Sequence, residues 1–109
     1  MQQRWNIIFE QGATYQVTIT VTGVPLIETA TGWRITCAMK NDDAFLVATT
    51  DNYISAGATS NQKVLTVPST LTAAFETGNG RYDFDILWAG NIVRRYISNG
   101  YVQVNPKAG

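Results

Sequence analysis

Gly80-Arg81-Tyr82-Asp83-Phe84-Asp85-Ile86-Leu87-Trp88 is the stretch whose pattern decides the fold. Tyr82, Phe84, Ile86 and Trp88 alternate with Arg81, Asp83, Asp85 and Leu87, the two-residue period of a β-strand with one buried face. Gly90-Asn91 follows, and Asn91 to Ile97 returns as the partner strand. A two-residue loop with glycine first is a type II′ signature and would set Ile86 opposite Arg95. A three-residue loop, Ala89 to Asn91, sets Asp85 opposite Arg95 instead. The second register is expected, because it pairs opposite charges and keeps a guanidinium out of the core. Asn91 tolerates the left-handed backbone that this loop requires. Asn99-Gly100 then reads as a bulge, Tyr101 to Asn105 as the remainder of the last strand, and Pro106 as its end.

Upstream, Pro68-Ser69 stops a strand over Lys63 to Val67. Ser69 is expected to cap one helical turn near residues 69–75, with Leu71 and Phe75 on one face. Trp33 to Met39 reads as a strand with Trp33, Ile35, Cys37 and Met39 inward, and Ala44 to Thr49 as its neighbour. Asn41-Asp42-Asp43 between them has the chemistry of a turn. Tyr15 to Val21 alternates cleanly, with Tyr15, Val17, Ile19 and Val21 on one face. Arg4 to Phe9 reads as the first strand, with Trp5, Ile7 and Phe9 on one face. Tyr53-Ile54 is a short extended piece. Gly23 to Gly32, containing Val24-Pro25-Leu26, is a packed loop or short edge strand.

Fourteen Thr, nine Val and nine Ile in 109 residues favour pleated structure, where β-branched side chains pack well. The segments are short, divided by Gly, Asn and Pro, and show no internal repeat or linker. The expectation is one all-β domain over residues 1–109, an antiparallel sandwich of about seven to eight strands, with a small barrel as the alternative.

Composition disfavours most kinds of chemistry. Eight basic and eight acidic residues cancel to a formal net charge of zero, so no basic field is offered to nucleic acid. The absence of histidine removes Ser-His-Asp and Cys-His mechanisms and histidine zinc sites. Cys37 is the single cysteine, which leaves no internal disulfide. No apolar run approaches the roughly 20 residues of a membrane helix. The opening MQQRWNIIFE lacks the basic start and long apolar core of a signal peptide. The sequence thus predicts no enzyme, no cofactor, no metal, and neither nucleic acid nor membrane as a partner.

Several residues merit separate weighing. Asp83 and Asp85 share a strand face at a spacing that a glycosidase could use, but a solvated face beside Arg95 is the simpler reading. Asp42, Asp43 and Asp51 could approach one another around calcium, yet Asn-Asp-Asp is ordinary turn chemistry. Cys37 reads as a buried, inert thiol. Arg94 and Arg95 point to opposite faces, so Arg94 faces inward or an interface. Trp5, Trp33 and Trp88 would crowd so small a core, so at least one is expected at a contact surface. Exposed aromatics there could alternatively stack on sugars. Trp5, Arg94, Tyr96 and Tyr101 are the expected interface anchors, with unpaired strand edges available for backbone pairing.

The run from Pro68 to Phe84 resembles the strand–turn–strand crossover of immunoglobulin-like sandwiches. There a tyrosine two residues before the second core cysteine bonds back to upstream backbone. Tyr82 matches that tyrosine, Phe84 stands at the cysteine position, and Trp33 lies near the place of the core tryptophan. With Gly90 at the hairpin, these are the residues expected to define the fold.

The order of segments also resembles a family of small phage structural domains. The motifs are Phe9-Glu10-Gln11-Gly12-Ala13-Thr14-Tyr15; Thr36-Cys37-Ala38-Met39-Lys40; Val67-Pro68-Ser69-Thr70-Leu71-Thr72; and Gly80-Arg81-Tyr82-Asp83-Phe84-Asp85-Ile86. Gly90-Asn91-Ile92-Val93-Arg94-Arg95 and Gly100-Tyr101-Val102-Gln103-Val104-Asn105-Pro106 complete the series. Across nearly the whole chain this is similar to the immunoglobulin-like amino-terminal domains of phage baseplate upper proteins. Where that family has Asp-Leu-Thr-Gly, this chain has Ile27-Glu28-Thr29-Ala30-Thr31-Gly32. The resemblance implies a non-enzymatic virion module whose partners are other virion proteins of tail, fibre, baseplate or capsid, or further copies of itself. The chain ends at Gly109, soon after the last strand, so a free-standing adaptor, connector or decoration subunit is expected.

Overall fold

Alternation along the chain becomes two stacked sheets. The computed structural model describes residues 5–40, 43–50 and 52–107. Its strands are β1 (Ile7–Glu10), β2 (Tyr15–Thr20), β3 (Gly32–Met39), β4 (Ala44–Thr49), β5 (Ile54–Ala56), β6 (Gln62–Val67), β7 (Gly78–Trp88) and β8 (Ile92–Asn105). One sheet has the order β1-β8-β7-β3-β4 and the other β2-β6-β5. This is the immunoglobulin-like arrangement: β2, β6 and β5 stand as strands B, E and D, β3, β7 and β8 as C, F and G, and β4 is added beside C. One pairing departs from the antiparallel expectation. β1 runs parallel to β8, from Ile7 opposite Val102 to Glu10 opposite Asn105.

The hairpin register is the charge-paired one. Asp85 lies opposite Arg95 and Trp88 opposite Ile92, leaving Ala89 to Asn91 as the loop, with Gly90 and Asn91 both at positive φ. Two irregularities in β8 then reset its faces. Phe84 pairs with Ile97 while Asp85 pairs with Arg95, so Tyr96 is an extra residue. Tyr82 pairs with Gly100, so Ser98 and Asn99 together oppose Asp83, with Asn99 at φ 57°. The bulge expected at Asn99-Gly100 is therefore present, and a second one sits at Tyr96.

The core is aromatic at its centre. Phe84 lies 5.2 Å from Trp33 and 5.5 Å from Tyr96, ring centre to ring centre. Trp5 tilts onto Tyr82 at 5.2 Å, against the inner face of the large sheet. A second cluster, Phe9, Tyr15, Phe45 and Phe75, fills the end beneath the helical turn α1 (Ser69–Thr72). Ser69 does not cap that turn. Pro68 holds the cap position, no side chain bonds there, and Thr72 instead anchors the turn by donating its hydroxyl to Ala13 O at 2.8 Å.

Tyr82 is fully buried, and its hydroxyl donates to Trp5 O at 2.6 Å. A tyrosine corner would bond a few residues upstream; here the bond spans the chain and ties β7 to the segment entering β1. Gly100 makes room for this ring. A Cβ on Gly100 would fall 2.2 Å from Tyr82 Cε1 and 2.4 Å from Cζ. The ring cannot swing aside while its hydroxyl is held, so Gly100→Ala is expected to destabilise by about 1–3 kcal/mol through overpacking. Urea unfolding checks this. A Gly100→Ala variant with an unchanged midpoint would show that the ring has room to move.

Candidate functional site

The longest strands, β7 and β8, carry their hairpin to one end of the domain, where the β2–β3 loop meets it. That loop contains a 3-10 turn at Ile27–Thr29, entered through Leu26 at φ 59°. Left-handed backbone is uncommon for a residue without glycine's freedom, and here it turns an apolar side chain outward. Leu26 is 65% exposed and Ile92 60% exposed. They are joined through Trp88, whose indole N–H donates to Leu26 O at 3.1 Å and which pairs across the hairpin with Ile92. Arg94 lies two residues on from Ile92, on the same strand face and exposed. Glu28 is exposed on the adjoining turn. The result is a protruding apolar tip of Leu26, Trp88 and Ile92, with one cation and one anion beside it.

The other expected anchors lie elsewhere. Tyr96 is 3% exposed: it follows the outward Arg95 and points inward, and the bulge turns Ile97 inward beside it; its hydroxyl accepts from Thr22 N and donates to Thr22 O. It is a core residue and offers a partner no surface. Trp5 is half-buried against Tyr82 and Phe84. Tyr101 is 40% exposed on the outer face of the large sheet, its hydroxyl between Asn79 Oδ1 and Gln103 Oε1 at 3.0 Å each. Trp33 is buried, so Trp88 is the tryptophan that reaches the tip. These placements leave no row of exposed tryptophans for sugars among the described residues.

Asp83 and Asp85 are consumed by ion pairs. Asp85 is 3% exposed and lies between Arg34 Nη2 at 2.7 Å and Arg95 Nε at 2.5 Å. Asp83 lies 3.4 Å from Arg95 Nη1 and accepts from Asn99 N–H. The hydrogen bond to Asp85 raises the already high pKa of Arg95, so the guanidinium stays charged. The pair therefore fixes the outer face of the sheet. Of the calcium expectation, Asp42 and Asp51 lie outside the described residues, as does Asn41 of the turn. Among the described residues no cluster of metal-ligating side chains occurs. Cys37 is fully buried, and burial pushes its thiol up to about 12.

At the opposite end a cleft of about 300 Å³ opens between β4 and α1. Its apolar lining is Met39, Phe45, Leu71 and Phe75, and its charged rim is Asp43 and Glu76. An adjoining hollow shares Met39 and Glu76 and adds Lys40. The β3–β4 pairing slips between Cys37 and Ala38, which makes Phe45 an extra residue and brings its ring against Phe75 at 4.9 Å. Sequence alternation misses this cleft because the slip is invisible in it. The tip was signalled only by the apolar Val24-Pro25-Leu26 in a loop. No protein-family model and no curated protein sequence matches the chain.

Proposed function

We propose that this protein is a non-enzymatic structural module of a bacteriophage virion, a small adaptor, connector or decoration subunit that attaches to tail, baseplate or capsid by burying its hairpin tip against a neighbour. The observation that carries the attachment role is the tip itself. Leu26 and Ile92 stand in water beside Trp88 and Arg94, where the β2–β3 loop meets the β7–β8 hairpin. Large apolar side chains exposed together, with tryptophan and arginine among them, are the composition of an interface centre. The virion assignment rests on the resemblance of the ordered motifs to phage baseplate domains, together with the immunoglobulin-like strand order.

Two measurements test the two parts. Peptide mass spectrometry of gradient-purified particles should find this chain at a fixed ratio to the major structural proteins; absence from the particles ends the virion reading. Particles grown with Ile92→Asp should carry about tenfold less of the chain, since a buried apolar anchor is replaced by a charge. Undiminished incorporation would remove the tip from the interface.

A further inference from the structure

The two ends of the molecule are unlike, and they complement each other. One end protrudes, with Leu26, Trp88 and Ile92 exposed or half-exposed and Arg94 beside them. The other is recessed, an apolar cleft with Asp43 and Glu76 at its mouth. β7 separates them. It begins at Gly78, beside the hollow that adjoins the cleft, and ends at Trp88 in the tip. Eleven residues of strand span roughly 35 Å, most of the molecule's 45 Å length.

We infer that the tip of one copy of this chain docks in the cleft of the next, so that the protein assembles head to tail. Three features select a second copy as the occupant. The first is charge: Arg94 meets the carboxylates of Asp43 and Glu76, and Glu28 on the tip meets Lys40 in the adjoining hollow. The second is apolar matching, because Leu26 and Ile92 supply what the cleft formed by Met39, Phe45, Leu71 and Phe75 lacks. The third is size. A recess of about 300 Å³ lies at the small end of ligand sites, about 300–1,000 Å³, and so accepts one or two side chains and not a folded segment. A contact between two different patches leaves one of each unused on every pair, so it propagates into a ring or an open filament. This rests on the tip being a contact surface, as proposed above, and adds what the tip contacts.

The test uses the full chain and two variants at exposed positions. Arg94→Glu sets a carboxylate against the acidic mouth of the cleft and leaves its own cleft intact. Ala74→Trp fills the cleft and leaves its own tip intact; Ala74 is an exposed residue of the lining. Circular dichroism first confirms that both variants are folded. Native mass spectrometry and sedimentation velocity across concentration should then show a ladder or ring for the natural chain. Each variant alone should associate about tenfold or more weakly. Mixed, the two variants have one competent tip and one competent cleft between them, and should form a one-to-one dimer that grows no further. A natural chain that is monomeric at every concentration overturns the inference. So does an assembly that neither substitution weakens, or a natural chain that stops at a symmetric dimer. If the chain is monomeric but Ile92→Asp still removes it from particles, the attachment role stands and only self-docking falls.

Discussion

Replacing Phe84 with alanine should cost the domain about 3–5 kcal/mol, a large share of the roughly 5–15 kcal/mol that separates folded from unfolded states in such domains. Phe84 is fully buried in the middle of β7, with Ile35 of β3 and Ile97 of β8 as its cross-strand neighbours. Its ring lies 5.2 Å from Trp33, 5.5 Å from Tyr96 and 6.4 Å from Trp5. Antibody-type sandwiches place at this point the cysteine that bridges the two sheets. Here Phe84 stands at the centre of an aromatic cluster drawn from β3, β8 and the segment entering β1. The size of the expected effect depends on whether the neighbours can close over the space. Tyr96 is held by its two hydrogen bonds to Thr22. With that ring fixed, Phe84→Ala leaves a void in place of much of the volume removed, and the cavity cost is added to the lost burial. Phe84→Leu, which refills most of that volume, should cost clearly less. Urea unfolding followed by tryptophan fluorescence reads both. A loss below about 1 kcal/mol for Phe84→Ala would mean that the neighbouring rings collapse freely into the space.

How much of this architecture could be read from residues alone follows from how local its causes are. The faces of β2, β3 and β7 are set by alternation within each strand, and Ile19, Trp33, Ile35, Cys37, Tyr82, Phe84 and Ile86 are buried as that alternation predicts. The hairpin register followed from one electrostatic preference, Asp85 against Arg95. What alternation could not supply was any event that adds a residue to one strand and not to its partner. Tyr96 follows Arg95, so strict alternation puts it inward and Ile97 outward; the bulge turns Ile97 inward as well, and both are buried. Phe45 is displaced in the same way and lines the cleft. The parallel docking of β1 on β8 joins segments about as far apart as the chain allows, and nothing local to either encodes it. Leu26 is the third kind of omission. Its exposure follows from one left-handed backbone angle in a loop whose apolar residues suggested burial.

Cys37 should make the fold sensitive to alkali. The thiol is fully enclosed between β4 and β7, opposite Leu46 and Tyr82, and burial raises it from an ordinary 9.0 to about 12. A thiolate in that apolar space has lost its hydration and gained no cation. The folded state therefore keeps its proton when the unfolded state has released it. The stabilisation is complete below pH 9, where both states are protonated, and is lost as pH rises toward 12. Unfolding free energy falls there by about 1.4 kcal/mol per pH unit, or about 4 kcal/mol over the interval. Tyr15 adds to the same limb. Its hydroxyl is raised chiefly by burial; the indole N–H of Trp5 lies near enough to oppose this without reaching hydrogen-bond geometry, and charge on Cys37 raises it further. Cys37→Ala separates the contributions. The cavity it leaves lowers stability equally at every pH, whereas loss of the thiol removes its part of the slope. Urea unfolding from pH 7 to pH 11.5 should give a curve for the natural chain that bends down above pH 9, more steeply than that of Cys37→Ala by about 1 kcal/mol per unit. Parallel curves would show that water reaches the thiol. The same burial makes Cys37 inert at neutral pH, since almost none of it is thiolate and no reagent reaches it without unfolding. It therefore serves this sandwich as a small apolar side chain.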